Sequence, residues 1–189
     1  MNFFHLDRTK FLKIGQTIDY FHIPEETNKE IKEYCESKFS NNLSHMGFIY
    51  TNYAPSISLY PQFVAEIILE KYRQEHYPNL PSRFQSLCCC DSLESCLFWF
   101  NELGLEEANI VNISADTFHK CDAAWRDIIA DNLCICSVDL FSENYWSGKL
   151  CDKHSRIEYL VPLPLKILDV NDIENIKNCN CINTTFKNE

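Results

Sequence analysis

A chain of 189 residues with 46% hydrophobic and 13% aromatic side chains has material for the full core of one domain and falls outside the disordered class. Its 17 basic against 27 acidic residues leave a net charge of −10, which argues against a broad phosphate-backbone footprint but leaves room for a local basic pocket. The 4 glycines, Gly15, Gly47, Gly104 and Gly148, are too scattered for a GxGxxG turn or a phosphate loop.

Residues 2–6 read as a short strand, Asn-Phe-Phe-His-Leu. Pro24-Glu25-Glu26 opens a helix over 25–38, with acidic residues suited to its N-terminal dipole. Residues 40–60 are polar and turn-rich and read as a surface loop. Phe63, Ile67, Ile68 and Tyr72 recur at helical spacing and predict an amphipathic helix over 62–76, ended by Tyr77-Pro78-Asn79-Leu80-Pro81. Phe84 to Cys90 is an apolar strand, and Asp91 with Glu94 makes a capping box for a helix to about Leu103. Ala108 to Ile113 reads as a strand, Thr117 to Ile129 as a helix burying Trp125, and Leu133 to Leu140 as another strand. Glu158 to Ile167 closes the pattern as a strand that tolerates Pro162 and Pro164 at an edge. The expected organisation is a single domain over 1–170 and a polar, asparagine-rich tail over 171–189. Strands and helices mix without regular βαβ alternation, so the predicted class is α+β.

The 11 cysteines do not form a disulfide framework in this reading. Cys88-Cys89-Cys90, Cys134/Cys136 and Cys179/Cys181 are too close to pair with their neighbours in a regular strand, and no CxxC spacing for zinc occurs. Most lie among apolar residues, where a thiol behaves as a small hydrophobe, so a reducing cytoplasmic setting and no metal are expected. Asp7, Arg8, Lys10 and Lys13 interrupt any signal-peptide run, and no stretch reaches the roughly 18 to 20 apolar residues of a membrane span. No membrane partner is expected.

Two polar residues sit inside apolar strands. His5 in Phe-Phe-His-Leu is either a core histidine bonded to a backbone carbonyl or a working residue. Glu158 in Ile-Glu-Tyr-Leu-Val either faces solvent by alternation or works. Arg83, in Pro-Ser-Arg-Phe, can anchor a phosphate or carboxylate bidentately, or pair at the surface with Asp91 or Glu94. Tyr145-Trp146 before Gly148 is either a core anchor or a substrate platform.

Glu158-Tyr159-Leu160-Val161, followed by apolar residues to Leu168, resembles the last catalytic strand of ADP-ribosyltransferases of the diphtheria-toxin and poly(ADP-ribose) polymerase type. Phe4-His5-Leu6 resembles their first strand, and Phe84 to Phe98 with the Asp91-Ser92 turn resembles their middle strand and following helix. The ordered set His-Leu, Leu-Pro-Ser-Arg, Tyr-Trp-x-Gly and Glu with an apolar strand is similar to a bacterial branch of that superfamily. Two departures stand out. Phe84 is the only aromatic where the middle strand usually carries tyrosine, and Arg156 occupies the place of the second acidic or amide residue of arginine-modifying toxins.

The resemblance implies a split β-sheet core with flanking helices and NAD as substrate. It implies transfer of ADP-ribose to a protein, RNA or DNA acceptor, by a toxin or phage-defence effector with an antitoxin or immunity partner. Hydrolysis of NAD by water, or an inactive binding module, are the alternatives. Glu158 would be catalytic, opposing the charge of the oxocarbenium-like ribose. His5, the second catalytic residue, would hold a ribose hydroxyl and the backbone of Leu6 the nicotinamide amide. Ser82 and Arg83 would steady ribose or pyrophosphate, with Phe84 beside them.

Overall fold

The computed structural model describes residues 1–53, 60–132, 134–152 and 154–178. Helices and antiparallel strands alternate irregularly, so the chain is α+β. It divides into two compact units. One comprises Met1–Ile18, Cys89–Ala115 and the chain from Leu165, and the other Asp19–Cys88 with Asp116–Pro164.

The first unit is built on a four-stranded sheet of order β1-β4-β7-β2, from β1 (Asn2–Asp7), β2 (Thr17–Ile18), β4 (Asn109–Ser114) and β7 (Leu165–Asp172). β4 lies antiparallel to both β1 and β7, and a register shift interrupts the β4–β7 ladder between Asn112 and Ile113. Phe4, Leu6 and Ile110 join a core formed with Cys96, Leu97 and Phe100 of α4 (Leu93–Glu102) and Ile173 of α7 (Ile173–Asn178). α4 starts differently from the predicted capping box. Ser92 is its N-cap, its Oγ accepting from Ser95 N at 3.1 Å, while Asp91 takes the Ser95 hydroxyl at 3.0 Å. The predicted polar tail begins with the end of β7 and α7; residues 179–189 lie outside the described residues.

In the second unit, α1 (Lys29–Phe39) is capped by Asn28 rather than starting at Glu25. Where a loop was expected, α2 (His45–Asn52) forms, because Ser44 caps it through Gly47 N at 3.0 Å; residues 54–59 lie outside the description. α3 (Tyr60–His76) matches the predicted helix, but its buried face carries Glu66, Glu70 and Arg73 beside Ala65 and Leu69, while Ile67 is exposed. A 3-10 turn over Arg83–Gln85 then leads into β3 (Ser86–Cys89), which shortens the predicted strand from its start.

The helix expected over 117–129 is two elements, β5 (His119–Asp122) and α5 (Ala124–Asp131), broken at Asp122. Of the strand expected over 133–140, residue 133 lies outside the described residues and 135–140 are instead helical, the start of α6 (Ile135–Trp146), which carries on to bury Tyr145 and Trp146. Its Cys, Ile and Val residues mimic a strand locally, but Trp146 is drawn into the α3–α5–α6 core, its Nε1 donating to Leu69 O at 2.8 Å. β6 (Ile157–Pro162) is the middle strand of the sheet β3-β6-β5, and the single strand expected over 158–167 divides after Pro162 into β6 and β7. Cys35, Cys88, Cys89, Cys90, Cys96, Cys121, Cys134 and Cys151 form no disulfide among the described residues. No described helix is long and apolar enough to cross a membrane.

Candidate functional site

α3 supplies three charged residues on one face, at spacings of four and three: Glu66, Glu70 and Arg73. All three are buried, which is tolerated only because each is paired. Arg73 Nη2 donates to Glu70 Oε1 at 2.8 Å, and its Nη1 reaches Pro78 O at 3.2 Å and Leu80 O at 3.0 Å. Ser82 Oγ donates to Glu70 Oε2 at 2.8 Å and accepts from Phe84 N at 3.0 Å. The Leu-Pro-Ser-Arg turn is thus tied back to α3 at each end.

That turn delivers Arg83. Its guanidinium meets Glu66 in a bidentate pair, Nε to Oε2 and Nη2 to Oε1, the latter at 2.9 Å. Its Nη1 donates to both Glu158 Oε1 and the Tyr145 hydroxyl, and the hydroxyl donates to the same Glu158 oxygen at 2.8 Å. Arg126 of α5 adds a second cation 3.6 Å from Glu66. Glu66 and Glu158 are therefore matched by Arg83 and Arg126, and the cluster is neutral.

Burial alone would raise the Glu158 carboxyl, but Arg83, Arg126 and the Tyr145 hydrogen bond hold it below its ordinary value of 4.5, so it is ionised. Burial opposes the charge on Arg83 as well, and the two carboxylates outweigh it. Burial pushes the Tyr145 phenol well up, so it stays a donor. The nearby Tyr50 phenol is raised to about 12, by burial and then by Glu66. Every hydrogen bond Glu158 makes among the described residues falls on Oε1, and Oε2 takes none.

Two glycines and one carboxylate aim these groups. Gly47 of α2 lies so close to the turn that a Cβ would stand 2.1 Å from Phe84 O, and Ser44 N donates to the same carbonyl at 2.8 Å. Asp122 receives Ala124 N and Arg156 N on Oδ1 and Cys151 N and the Ser155 hydroxyl on Oδ2, fixing the approach to β6. Burial would raise the Asp122 carboxyl, yet these four donors leave it below 3.8. Gly148, at φ +73°, closes the turn after Tyr145-Trp146.

The structure thus brings Ser82, Arg83, Phe84 and Glu158 together in the second unit, whereas His5 and Leu6 belong to the first. Arg83 is not the surface partner of Asp91 or Glu94: it is 8% exposed and spent on Glu66 and Glu158. Phe84 is buried among Phe39 and Tyr50, stacked on the Tyr50 ring at 5.6 Å. Tyr145 and Trp146 are core residues, and the tyrosine also touches Glu158. His5 is half-buried in β1, opposite Val111. Leu6 packs against the α4 core. Glu66, Arg126 and Asp122 escaped the sequence reading, and Tyr145 was read as a core anchor or substrate platform, not as a partner of Glu158. The one signal for Glu66 was its place, four residues before Glu70 and seven before Arg73 on a helix otherwise read by its apolar residues. Among the described residues no group of three or more His, Cys, Asp or Glu side chains is placed to hold a metal ion.

Fold and site together define an α+β protein with a buried arginine–carboxylate centre on a sheet strand. The chain belongs to the family described as protein of unknown function (DUF2441), which it matches over residues 3–178. No curated protein matches it.

Proposed function

We propose that the chain is an NAD-dependent ADP-ribosyltransferase with Glu158 as its catalytic carboxylate. The observation that carries this reading is the state of Glu158: buried, ionised, oriented through Oε1 by Arg83 and Tyr145, and with Oε2 unengaged among the described residues. A carboxylate so held needs no reorganisation to oppose positive charge developing nearby. In the proposed reaction the bond between ribose C1′ and the nicotinamide nitrogen breaks, and its electron pair leaves on nicotinamide. The cationic ribose is stabilised by Glu158, and a nucleophile of a macromolecular acceptor adds at C1′ and gives up its proton. Arg83 and Tyr145 are positioning residues here, since their polar atoms are committed to Glu158 and Glu66. This differs from the direct pyrophosphate contact that the resemblance implies for Arg83. The split-sheet core of that superfamily forms part of the same proposal.

The test is incubation of the purified chain with labelled NAD and whole lysate, followed by separate nuclease and protease digestion of the labelled product. Nicotinamide release with label on a macromolecule is expected. Glu158→Gln, checked for native circular dichroism, should lose about a hundredfold in rate, which corresponds to about 3 kcal/mol of transition-state stabilisation. Parental turnover in that variant, or no release by the parent with any lysate fraction, refutes the reading. Free nicotinamide without labelled product reassigns the chain as an NAD glycohydrolase.

A further inference from the structure

In the first unit, Asp7 ends β1 and organises the loop that follows it. Its buried carboxylate receives Thr9 N, the Thr9 hydroxyl and Lys10 N on Oδ1, at 3.0, 2.7 and 3.1 Å, and Leu12 N on Oδ2 at 2.9 Å. Further on, Lys13 N donates to Gln16 Oε1 and Gln16 N to Lys13 O, both at 3.1 Å. The loop is also tied to β7, with Gly15 N donating to Ile167 O at 3.0 Å and Ile167 N to Gln16 O at 2.9 Å. A loop anchored at this many points holds its side chains in place, yet Phe11 is 78% exposed and Ile14 65%.

β7 adds a third apolar side chain beside the loop. Its register on β4 passes from Asn112 opposite Asp169 to Ile113 opposite Ile167, which leaves Leu168 as the extra residue of a bulge, 47% exposed. Such bulges re-aim a side chain. Single exposed apolar residues are ordinary, but three on one anchored loop and the strand tied to it call for a partner. The same stretch is basic. Residues 8–18 and 165–168 contain Arg8, Lys10, Lys13 and Lys166 and no acid, in a chain of net charge −10. Lys10 is matched by Asp172 at 2.8 Å and Glu107 at 3.5 Å. Arg8, Lys13 and Lys166 are exposed and make no ion pair among the described residues. The acids that border the stretch already have donors: Asp19 accepts from Tyr20 N, and Asp169 from Val170 N and Asn171 Nδ2.

We infer that this loop docks on an anionic lipid surface, with Phe11, Ile14 and Leu168 entering the boundary between headgroups and acyl chains and Arg8, Lys13 and Lys166 among the headgroups. A bilayer takes in projecting apolar side chains without a preformed pocket, and its anionic headgroups supply the missing countercharges. A nucleic-acid strand would answer the cations and stack on Phe11, but would leave Ile14 and Leu168 in water. The contact is interfacial, in keeping with the absence of a membrane-crossing helix among the described residues. The inference does not depend on the reaction proposed for Glu158.

The test floats the full chain with vesicles of phosphatidylcholine containing about 30% phosphatidylserine, beside vesicles of phosphatidylcholine alone, at about 0.1 M salt. The chain should bind the anionic vesicles about tenfold or more tightly than the neutral ones, and raising salt to about 1 M should weaken that binding about tenfold. Lys13→Gln and Lys166→Gln should each weaken it about fivefold, the factor for one basic residue near an anionic surface. Phe11→Ser and Ile14→Ser change exposed side chains, keep the fold, and should each weaken it about fivefold or more. Phe11→Trp should gain blue-shifted emission with the anionic vesicles and not with the neutral ones. The inference is overturned if neither vesicle is bound, if both are bound equally, or if Phe11→Ser and Ile14→Ser bind like the parent. A chain that ignores the vesicles but holds a labelled single-stranded oligonucleotide through Phe11 reassigns the loop to nucleic acid.

Discussion

At the scale of single residues, Arg83 carries the most consequence, because among the described residues it is the cation that touches both Glu66 and Glu158. Removing one partner of a buried ion network costs about 3–5 kcal/mol, since it strands the charges left behind. Arg83→Met should therefore lower stability by about that amount, read as the urea midpoint at unchanged slope. It should also reverse a pH dependence. Without Arg83, burial dominates at Glu158 and lifts its carboxyl above 4.5, so the native state holds a proton that the unfolded state has released. Stability of the variant should then fall as pH rises from about 4.5 through the raised native value, opposite to the parent. A variant with the parental pH profile would show that Arg83 does not set the state of Glu158. The oddity of Glu158 and Arg83 was legible in the sequence, as a charge in an apolar strand and an arginine at a strand start. Their partnership was not, because 75 residues separate them and the acid that completes it, Glu66, sits on a third element.

At the scale of elements, α2 and the Arg83–Gln85 turn form one packing unit that Gly47 makes possible. Gly47→Ala gains helix propensity but drives a methyl into the Phe84 carbonyl, a backbone atom that cannot step aside cheaply. The expected result is a net destabilisation of about 1–3 kcal/mol in denaturant unfolding, accompanied by reduced nicotinamide release because the turn aims Arg83. An unchanged or raised midpoint would mean that the turn is free to shift. Elements with strong periodicity were readable: β1, α3, α4 and β4 lie where the apolar spacing puts them. The misread elements share a cause. Residues 117–129 carry helical apolar spacing, yet Asp122 stops the strand inside them by gathering four hydrogen bonds from chain as distant as Arg156. The Cys-Ile-Val composition before Leu140 reads as a strand until Tyr145 and Trp146 are seen docking as the end of a helix.

At the scale of the whole molecule, acid should be the weak side. Asp7, Asp122 and Glu158 are buried and all lie below their ordinary carboxylate values, in each case despite a burial effect of opposite sign. A depressed carboxyl contributes stability above its unfolded value, and that contribution is lost as pH falls through the native value. Urea midpoints should be flat above about pH 5 and fall steadily below about pH 4. Because Asp7 lies in one unit and Asp122 and Glu158 in the other, acid should weaken both. A midpoint that rises on acidification would contradict the ionised state assigned to these groups.

By itself the sequence determined the α+β class, the sites of the strongly periodic elements, and that Glu158 and Arg83 were unusual, because these follow from local spacing and from the cost of placing charge among apolar residues. Only the tertiary structure decided that α3 turns Glu66, Glu70 and Arg73 inward, that Tyr145 is a hydrogen-bond donor to Glu158, and that Asn112 Oδ1 meets no donor among the described residues. A polar side chain reads as solvent-facing until remote segments supply its counterion or withhold its donor, and those segments meet only in the folded chain.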